Sequence, residues 1–224
     1  MATPHQRFTA EDRKQQILEI ATELFANQGF QGTTTREIAN RAKVNEAIIF
    51  RHFSSKEELY WSVIEAKCNL GEARRRIRER IAQGGAIREV FIDIAEGILT
   101  RRQQDPTLMR LLLFSSLERH SLSDRFFRTY IADYYETLAE YIREHITEGE
   151  LKDVDPLLAA RGFLGMVIYH SMVQELFGAK KYRQYGIREV SETIVSIWLD
   201  GMKAHNGMED SKSGPTFLHQ KGKS

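Results

Sequence analysis

The side chains best suited to bind a charged partner lie together near the start of this 224-residue chain. The whole chain has a formal net charge of only +1, so an anionic partner would have to be bound by a local group of cations. One such group exists, with five cations and two carboxylates: Arg36, Arg41, Lys43, Arg51 and Lys56, with Glu37 and Glu46. Five minus two gives this basic segment a charge of +3, which makes it the candidate nucleic-acid surface of the chain.

The residues around the basic segment predict three helix starts between Thr33 and Leu59. A Ser or Thr followed three residues later by Glu has the spacing of a capping box, which satisfies free N–H groups at a helix start. That spacing occurs at Thr34 with Glu37, at Ser54 with Glu57 and at Ser55 with Glu58. Asn45 can cap a short helix between them.

Two short helices at these positions would bury one common face and leave the other free. The buried face would consist of Ile38, Ala39, Ala42, Val44, Ile49 and Phe53. The free face would consist of Thr35, Arg36, Glu46, Ala47, Ile48, Phe50, Arg51 and His52. This pattern is typical of a helix-turn-helix unit. A preceding helix, opened by Thr9 with Asp12 and ended by Gly29, would supply the floor beneath it.

The rest of the chain predicts a succession of amphipathic helices and no strand of useful length. A fourth helix is expected from Ser55 to the Gly84-Gly85 pair, and Asp105-Pro106 and Asp155-Pro156 each provide a cap followed by proline. The predicted fold class is all-α, with about nine helices. We expect an N-terminal three-helix helix-turn-helix domain at residues 1–54, a C-terminal helical domain at 55–205 and a disordered tail at 206–224.

The helix that begins near Asp155 is apolar nearly all round, which a surface helix of a monomer would not be. We therefore expect this helix and the last helix to form a four-helix interface with a second subunit. The expected interface residues are Phe163, Val167, Met172, Ile194, Ile197 and Trp198. Gly162 and Gly165 would let the two backbones approach closely.

Residues 13–60 resemble the N-terminal DNA-binding domain of TetR-type transcriptional regulators. The resemblance is carried by RKQQILEIATELFANQGFQGTTTREIANRAKVNEAIIFRHFSSKEELY, and above all by its helix stop at Gly29-Phe30, its Thr triplet, Ile38-Ala39 and the closing Phe53-x-Ser55-Lys56-Glu57. It implies an all-helical homodimer that reads a palindromic operator in double-stranded DNA. It also implies a larger C-terminal domain that dimerises and commonly binds a small molecule.

The resemblance assigns a role to each part of the basic segment. Thr35 and Arg36 would hold phosphates, the helix from Asn45 to His52 would enter the major groove, and Lys56 would meet the DNA backbone. The implied DNA-binding residues are Thr34, Thr35, Arg36, Asn45, Glu46, Ala47, Ile48, Phe50, Arg51, His52 and Lys56.

Three positions depart from the family pattern. Lys43 stands at a turn position that is often Gly, Phe50 replaces a Tyr whose hydroxyl donates to a phosphate, and Ile48 stands where Thr is frequent. Direct readout would then rest on Glu46, Arg51 and His52, with apolar contacts from Ala47 and Ile48 to thymine methyl groups.

The resemblance further implies a ligand site among the fourth to eighth helices. The candidate residues are Met109, Phe127, Tyr130, Tyr134, Met166, Tyr169 and His170, whose aromatic and sulfur content suits an apolar or aromatic effector. Aromatic residues at helical spacing also suit an ordinary helical core. A ligand-independent DNA-binding regulator with a filled core is therefore an open alternative.

A helical-bundle enzyme is the less favoured alternative, because the chain has no metal-binding spacing of His and Glu, no Gly-x-Ser-x-Gly turn and no Gly-x-Gly-x-x-Gly loop. We expect no catalytic residue, no metal and no cofactor. Cys68 is the only cysteine, which excludes an intrachain disulfide and fits a reducing compartment. With no leader and no long uncharged apolar run, we expect a cytoplasmic protein without a membrane partner.

Overall fold

The computed structural model describes residues 9–204 except 69 and 119–120, and residues 70, 71, 73, 121, 123 and 130 by their backbone only. Ten helices and no named strand occur in this described part. They are α1 (Ala10–Gly32), α2 (Thr35–Ala42), α3 (Glu46–His52), α4 (Lys56–Lys67), α5 (Leu70–Ala82), α6 (Ile87–Gln104), α7 (Thr107–Leu117), α8 (Ser121–Phe126, continued by Phe127–Ile131 and Ala132–Thr147), α9 (Pro156–Glu175) and α10 (Ile187–Met202). The all-α prediction is confirmed, and the predicted tail at 206–224 lies outside the described residues.

Polar side chains start several of these helices as the sequence predicted. Thr9 and Asp12 form a complete capping box, because each backbone N–H donates to the other residue's side chain, at 3.0 and 3.1 Å. Asp155 accepts from the N–H of Leu158 at 2.9 Å, ahead of Pro156 at the start of α9. Ser55 is the residue that caps α4, since its hydroxyl accepts from the N–H of Glu58 at 3.1 Å.

The predicted fourth helix is two helices rather than one. Helical geometry ends at Cys68, which has φ −94° and ψ 80°, and α5 begins at Leu70. Cys68 is buried, and Lys67 just before it forms a salt bridge of 2.9 Å with Asp105, beyond the end of α6. The break therefore lies where packing and an ion pair hold the end of α4 in place.

The buried apolar side chains form two clusters. The first joins α1, α2, α3 and α4 with Leu111 of α7 and with Leu122 and Phe126 of α8. The second joins Ile77 of α5 with α6, the later part of α8, α9 and α10. In its centre, Phe91 packs edge-on against Phe163 at 4.8 Å between ring centroids and lies 4.4 Å from Trp198. The predicted domain limits at residues 54 and 205 stay predictions.

Helix α7 is held against α1 and α4 by polar contacts. Glu118 directly follows the last residue of α7. Its carboxylate accepts the backbone N–H of Phe30 at 3.1 Å and that of Gln31 at 3.2 Å. Arg110 donates to the carbonyl of Ala26 at 2.7 Å, and Tyr60 donates to the carbonyl of Leu111 at 2.8 Å. We call these contacts the α7 junction.

The backbone of α1 is bent at the junction. Gly29 has φ 77° and ψ 180°, a region that side chains with a Cβ rarely adopt. A Cβ there would overlap the Glu118 carboxylate and lie 2.9 Å from the Phe114 ring. The glycine thus lets the last residues of α1 present their N–H groups to Glu118.

Four of the six predicted interface residues face the protomer's own core, which corrects that part of the prediction. Phe163 and Val167 are fully buried, Ile194 and Trp198 nearly so, and the Trp198 indole donates to the carbonyl of Ala159 at 3.1 Å. Met172 is half-buried, and only Ile197 is well exposed, at 62%. The spacing of apolar residues along a helix does not show which of its faces packs against the same protomer.

One helix of the described part, α9, is long and apolar enough to cross a membrane by length and composition, with a hydropathy of 1.2 over its most apolar window. The core helix of a bundle meets the same criteria, and one side of α9 packs in the second cluster.

We predict that Gly29→Ala destabilises the protein more than Gly84→Ala does. Gly84 also has a positive φ, 68°, but a Cβ there meets nothing within 4 Å. The Gly84→Ala variant therefore measures the cost of backbone strain alone, which is about 1–2 kcal/mol. Gly29→Ala adds the clash with Glu118 and Phe114, and we expect a loss of about 3–4 kcal/mol. Urea unfolding measures both, and equal losses would contradict the packing described for Gly29.

Candidate nucleic-acid interface and ligand cavity

The first cluster holds α2 and α3 by the face that the sequence predicted. Ile38, Ala39 and Ala42 of α2, Ile49 of α3 and Phe53 after it are at most 2% exposed. Thr34 caps α2 by accepting the N–H of Glu37 at 3.1 Å. The Glu37 carboxylate does not complete the capping box, since it accepts from Gln28 of α1 at 3.0 Å.

The turn between α2 and α3 has a lysine in a left-handed conformation. Lys43 has φ 53° and ψ 44°, where glycine is usual at a helix end. Its N–H donates to the carbonyl of Asn40 at 3.2 Å, and the N–H of Val44 donates to that of Ala39 at 3.0 Å. These two bonds are those of a Schellman motif, so the turn keeps its geometry at the cost of about 1 kcal/mol of backbone strain.

Two of the predicted DNA-binding residues hold the unit together. Thr35 donates a short hydrogen bond to the carboxylate of Glu46, which links the start of α2 to the start of α3. Asn45 accepts the N–H of Ala47 at 2.9 Å and so caps α3. The Glu46 carboxylate already has a partner, which makes it poorly suited to accept from a base.

The other predicted contact residues differ in exposure. Thr34, Arg36, Ala47 and Arg51 are exposed, as is Phe50 at 48%. His52 is half-buried, and Ile48 packs partly against the first cluster, which leaves less of it to touch a thymine methyl group.

The cations of the basic segment are not equally free. Arg41 pairs with Glu23 of α1 at 2.8 Å. Arg36, Lys43 and Arg51 have no carboxylate within 4.0 Å among the residues that the structure describes. Three positive side chains on this short surface are thus available to an anion.

Lys56 lies at the start of α4, where the free N–H groups of a helix also favour an anion. Its ammonium nitrogen is 4.2 Å from the centroid of the Phe30 ring. Partial burial lowers the pKa of Lys56, while the nearby carboxylates of Glu57 and Glu118 act in the opposite direction. The ring holds the ammonium group beside the end of α1.

A cavity of about 300 Å³ lies where α4, α6, α7, α8 and α9 meet. Its apolar wall consists of Ile98, Leu108, Met109, Ile131, Leu164 and Ile168. Its polar side chains are Lys67, Arg101, Arg102, Gln104 and Asp105, with the phenols of Tyr134 and Tyr135. Burial raises the pKa of Tyr134 to about 12. This apolar cavity with a few polar groups is a candidate ligand site.

The predicted ligand residues are only partly brought together. Met109 and Tyr134 line the cavity, and the side chain of Tyr130 lies outside the described part. Phe127 and Tyr169 are exposed on the surface, and Met166 packs against the second cluster. His170 lines a separate, more polar cavity of about 320 Å³ with Glu175 and Lys180. A single site made of all seven residues is therefore ruled out.

Arg101 and Arg102 are the cavity residues that the sequence analysis missed. They lie in the last turn of α6, where cations are common because the helix dipole favours them. Nothing in the sequence marks two such arginines as partly buried. Their partial burial depends on α7 and α8, which close over the end of α6, so the α6 sequence does not show it.

One group of side chains in the described part has the spacing of metal ligands. Atoms of His145, Glu148 and Glu150 lie within 4.8 Å of one another at the end of α8. The His145 ring already forms a hydrogen bond of 2.8 Å with Glu150, and both carboxylates are exposed. The contact is an ordinary histidine–carboxylate pair at a helix end.

Comparisons with known proteins agree with this architecture. Residues 17–63 match the family model described as bacterial regulatory proteins of the tetR family, and residues 92–201 match the AefR-like transcriptional repressor C-terminal domain. An HTH-type transcriptional repressor of Mycobacterium tuberculosis is 47% identical over 49 residues, which are 22% of this chain and 26% of that protein. The chain thus spans about a quarter of the length of these curated relatives.

Two further relatives match over most of their length. The regulator AcrR of Shigella flexneri is 25% identical over 199 residues, which are 85% of this chain and 89% of that protein. FadR of Bacillus subtilis, solved in complex with stearoyl-CoA, has a TM-score of 0.64 and 21% identity, and the match covers 84% of this chain and 98% of that one. The second likeness is evidence for the fold alone.

We predict that Asn45→Ala lowers the free energy of unfolding by about 1 kcal/mol, because the N–H of Ala47 loses its acceptor. Asn45→Asp keeps a side-chain oxygen at the same position and is the matched control, with stability close to that of the parent. Thermal unfolding of the two variants measures the difference. If Asn45→Ala is as stable as the parent, Asn45 does not cap α3 in solution.

Proposed function

This chain is a member of the TetR family of DNA-binding transcriptional regulators, and from that premise we propose that it is a dimeric repressor that leaves a palindromic operator when a small molecule enters the α4–α9 cavity. Regulators of this family bind DNA operators and small molecules and are dimeric. The proposal concerns how this chain does so, and with which residues.

The free cations on α2 and α3 carry the proposal for DNA. Arg36 is exposed and has no carboxylate partner among the described residues, so it can hold a phosphate. Arg51 is exposed on α3 and can donate two hydrogen bonds to a guanine edge. Lys56 adds a backbone contact at the start of α4. Because Glu46 is bonded to Thr35, we assign base readout to Arg51 and His52, with Ala47 in apolar contact.

The exposed side of α9 supports a dimer, through a set of residues that keeps Gly162 and Gly165 from the sequence prediction and adds Leu158 and Tyr169. Leu158, Gly162, Gly165 and Tyr169 follow one another at steps of four, three and four residues, which places them on one side of a helix. Leu158 and Tyr169 are 65% and 62% exposed, and a Cβ added at either glycine would meet nothing within 4 Å. We call this the α9 stripe.

Helix α10 adds to the same surface. The bond from Trp198 to the carbonyl of Ala159 holds α10 against α9, and Ile197, the residue before Trp198, is exposed. Two helices from each protomer would then form a four-helix interface. Two-fold symmetry would place the two copies of α3 about one DNA turn, roughly 34 Å, apart.

The position of the cavity suggests how a ligand would change DNA binding. Leu108 and Met109 of α7 line the cavity, while Arg110 and Glu118 of the same helix hold the end of α1. Lys67, at the end of α4, also reaches the cavity, and the other end of α4 carries Lys56. A ligand that binds better to one position of α7 and α4 would shift the population of α3 orientations.

An open cavity of about 300 Å³ favours this ligand response over a ligand-independent regulator with a filled core. The apolar wall suits an apolar portion of an effector.

We predict that Arg36→Ala and Arg51→Ala weaken binding to an operator obtained by selection from random duplex DNA, which we expect to be palindromic. Arg36→Ala should lower the slope of log K against log salt by about one, since one phosphate contact is lost. Arg51→Ala should cost about 1–3 kcal/mol on the preferred base pair and relax specificity there. Fluorescence anisotropy over a salt series measures both effects.

Arg143→Ala is the matched control for these two variants. Arg143 is an exposed arginine near the C-terminal end of α8, which packs in the second cluster. It should bind the operator as the parent does. Parent-like affinity and salt slope in Arg36→Ala and Arg51→Ala would sink the assignment of α2 and α3 as the DNA surface.

We predict that Ile197→Glu dissociates the dimer, because it places a charge in an apolar contact between subunits. Tyr182→Glu is the control, since Tyr182 is 91% exposed and lies outside the α9 stripe. Sedimentation at micromolar concentration should give a dimer for the parent and for Tyr182→Glu, and mainly monomer for Ile197→Glu. A dimer in all three would show that the subunits meet elsewhere.

A further inference from the structure

The charges at the cavity do not balance. Lys67 and Asp105 neutralise each other, at 2.9 Å between nitrogen and oxygen. Asp105 is also occupied in accepting the N–H of Thr107 at 2.9 Å. The side chains of Arg101 and Arg102 have neither an ion pair nor a hydrogen bond among the residues that the structure describes. Two positive charges therefore remain beside the apolar wall of the cavity.

The surroundings of the two guanidinium groups supply no hidden partner. Tyr134 is the titratable group with the largest electrostatic influence on both, and its phenol is neutral at pH 7 because burial raises its pKa. Glu72, the carboxylate with a smaller influence on Arg101, is bonded to Arg76. Burial lowers the pKa of Arg101 and of Arg102, since a charged group loses hydration there.

The helix dipole of α6 does not explain the pair. Cations near a helix C-terminus gain a modest stabilisation, which is smaller than the cost of taking a guanidinium out of water. Exposed positions in the same turn, such as Gln103 and Gln104, would serve the dipole without that cost. A partly buried cation gains from a paired anion, so this pair suits a partner that arrives from outside.

We infer that the cavity binds an amphipathic anion, with its carboxylate or phosphate head on Arg101 and Arg102 and its apolar chain against Leu108, Met109, Leu164 and Ile168. The inference rests on the proposed function in one respect, that the cavity is a ligand site. Guanidinium groups donate paired hydrogen bonds to carboxylates and phosphates, and such bonds are stronger than neutral ones.

The volume of the cavity limits the size of the apolar chain. One water-sized group occupies roughly 30 Å³, so about 300 Å³ holds about ten non-hydrogen atoms. A straight-chain carboxylate of medium length fits this limit. Decanoate is therefore the probe, with 1-decanol as the neutral ligand of equal chain length and decyltrimethylammonium as the cationic one.

The experiment is calorimetric titration of the full chain with each probe, below its micelle concentration. We expect decanoate to bind about tenfold or more tightly than 1-decanol, and the cationic probe to bind weakest. Arg102→Gln should lower decanoate affinity by about tenfold and leave 1-decanol affinity unchanged. Arg143→Gln, an exposed change on α8 outside the cavity, should leave both affinities unchanged.

A second measurement guards against loss of folding. Because an unpaired, partly buried charge disfavours the empty protein, ligand-free Arg102→Gln should melt at the parent's temperature or above it. A lower melting temperature in the variant would mean that Arg102 stabilises the fold, and would overturn the inference. Equal affinities for decanoate and 1-decanol in the parent, or equal losses of both in Arg102→Gln, would overturn it as well.

Operator binding, measured in the same samples, separates this inference from the proposed function. Decanoate that binds through Arg102 without releasing the operator supports the anion site and contradicts the ligand response. Release by 1-decanol, with no gain in affinity for decanoate, supports the ligand response and overturns the anion site.

Discussion

The carboxylate of Glu118 is the contact on which the arrangement of this protein depends. It accepts two backbone N–H groups at the end of α1, just past the bend at Gly29, and so ties the DNA-binding helices to the helix that closes the cavity. Around it, Phe25, Phe30 and Tyr60 pack with centroids 4.8 to 6.1 Å apart. Helix α7 contributes Leu111 to the first cluster and Met109 to the cavity beside the second, and α8 contributes buried residues to both clusters, so these two helices join the two parts of the fold.

The contact of α7 with α1 makes the neighbouring α4–α9 cavity relevant to DNA binding. Lys67 lines the cavity just before the break between α4 and α5 at Cys68, and it forms an ion pair with Asp105. Apolar contact alone would fill the space without directing the ligand. Arg101 and Arg102, whose side chains have no partner among the described residues, would fix the orientation of an anionic head beside the end of α6, and the ligand's apolar chain would then lie along α7. A bound ligand would then favour one position of α7, the helix that holds the end of α1.

Local chemistry was predictable from the sequence where it acts over a few residues. Caps at Thr9, Asn45, Ser55 and Asp155, and the buried face of α2 and α3, follow from residue type and spacing. The break at Cys68 was not predicted, because Asn69 and Gly71 stand within a helical pattern that continues on both sides of them, and tertiary packing decides where the helix ends. The direction in which α9 faces was also hidden. Its residues are apolar on both sides, so Phe163 and Val167 could not be told from Leu158 and Tyr169 before their neighbours were known. Arg101 and Arg102 likewise resembled ordinary cations at the end of a helix.

Hydrogen–deuterium exchange tests most directly whether α7 holds the DNA-binding helices in place. The amides of Phe30 and Gln31 donate to Glu118, so their exchange reports that contact. In Glu118→Ala, the account predicts faster exchange at these two amides, while those of Val195 and Leu199 in the second cluster keep the parent's rates. Unchanged exchange at Phe30 and Gln31 would contradict it, because the end of α1 would then be held without Glu118.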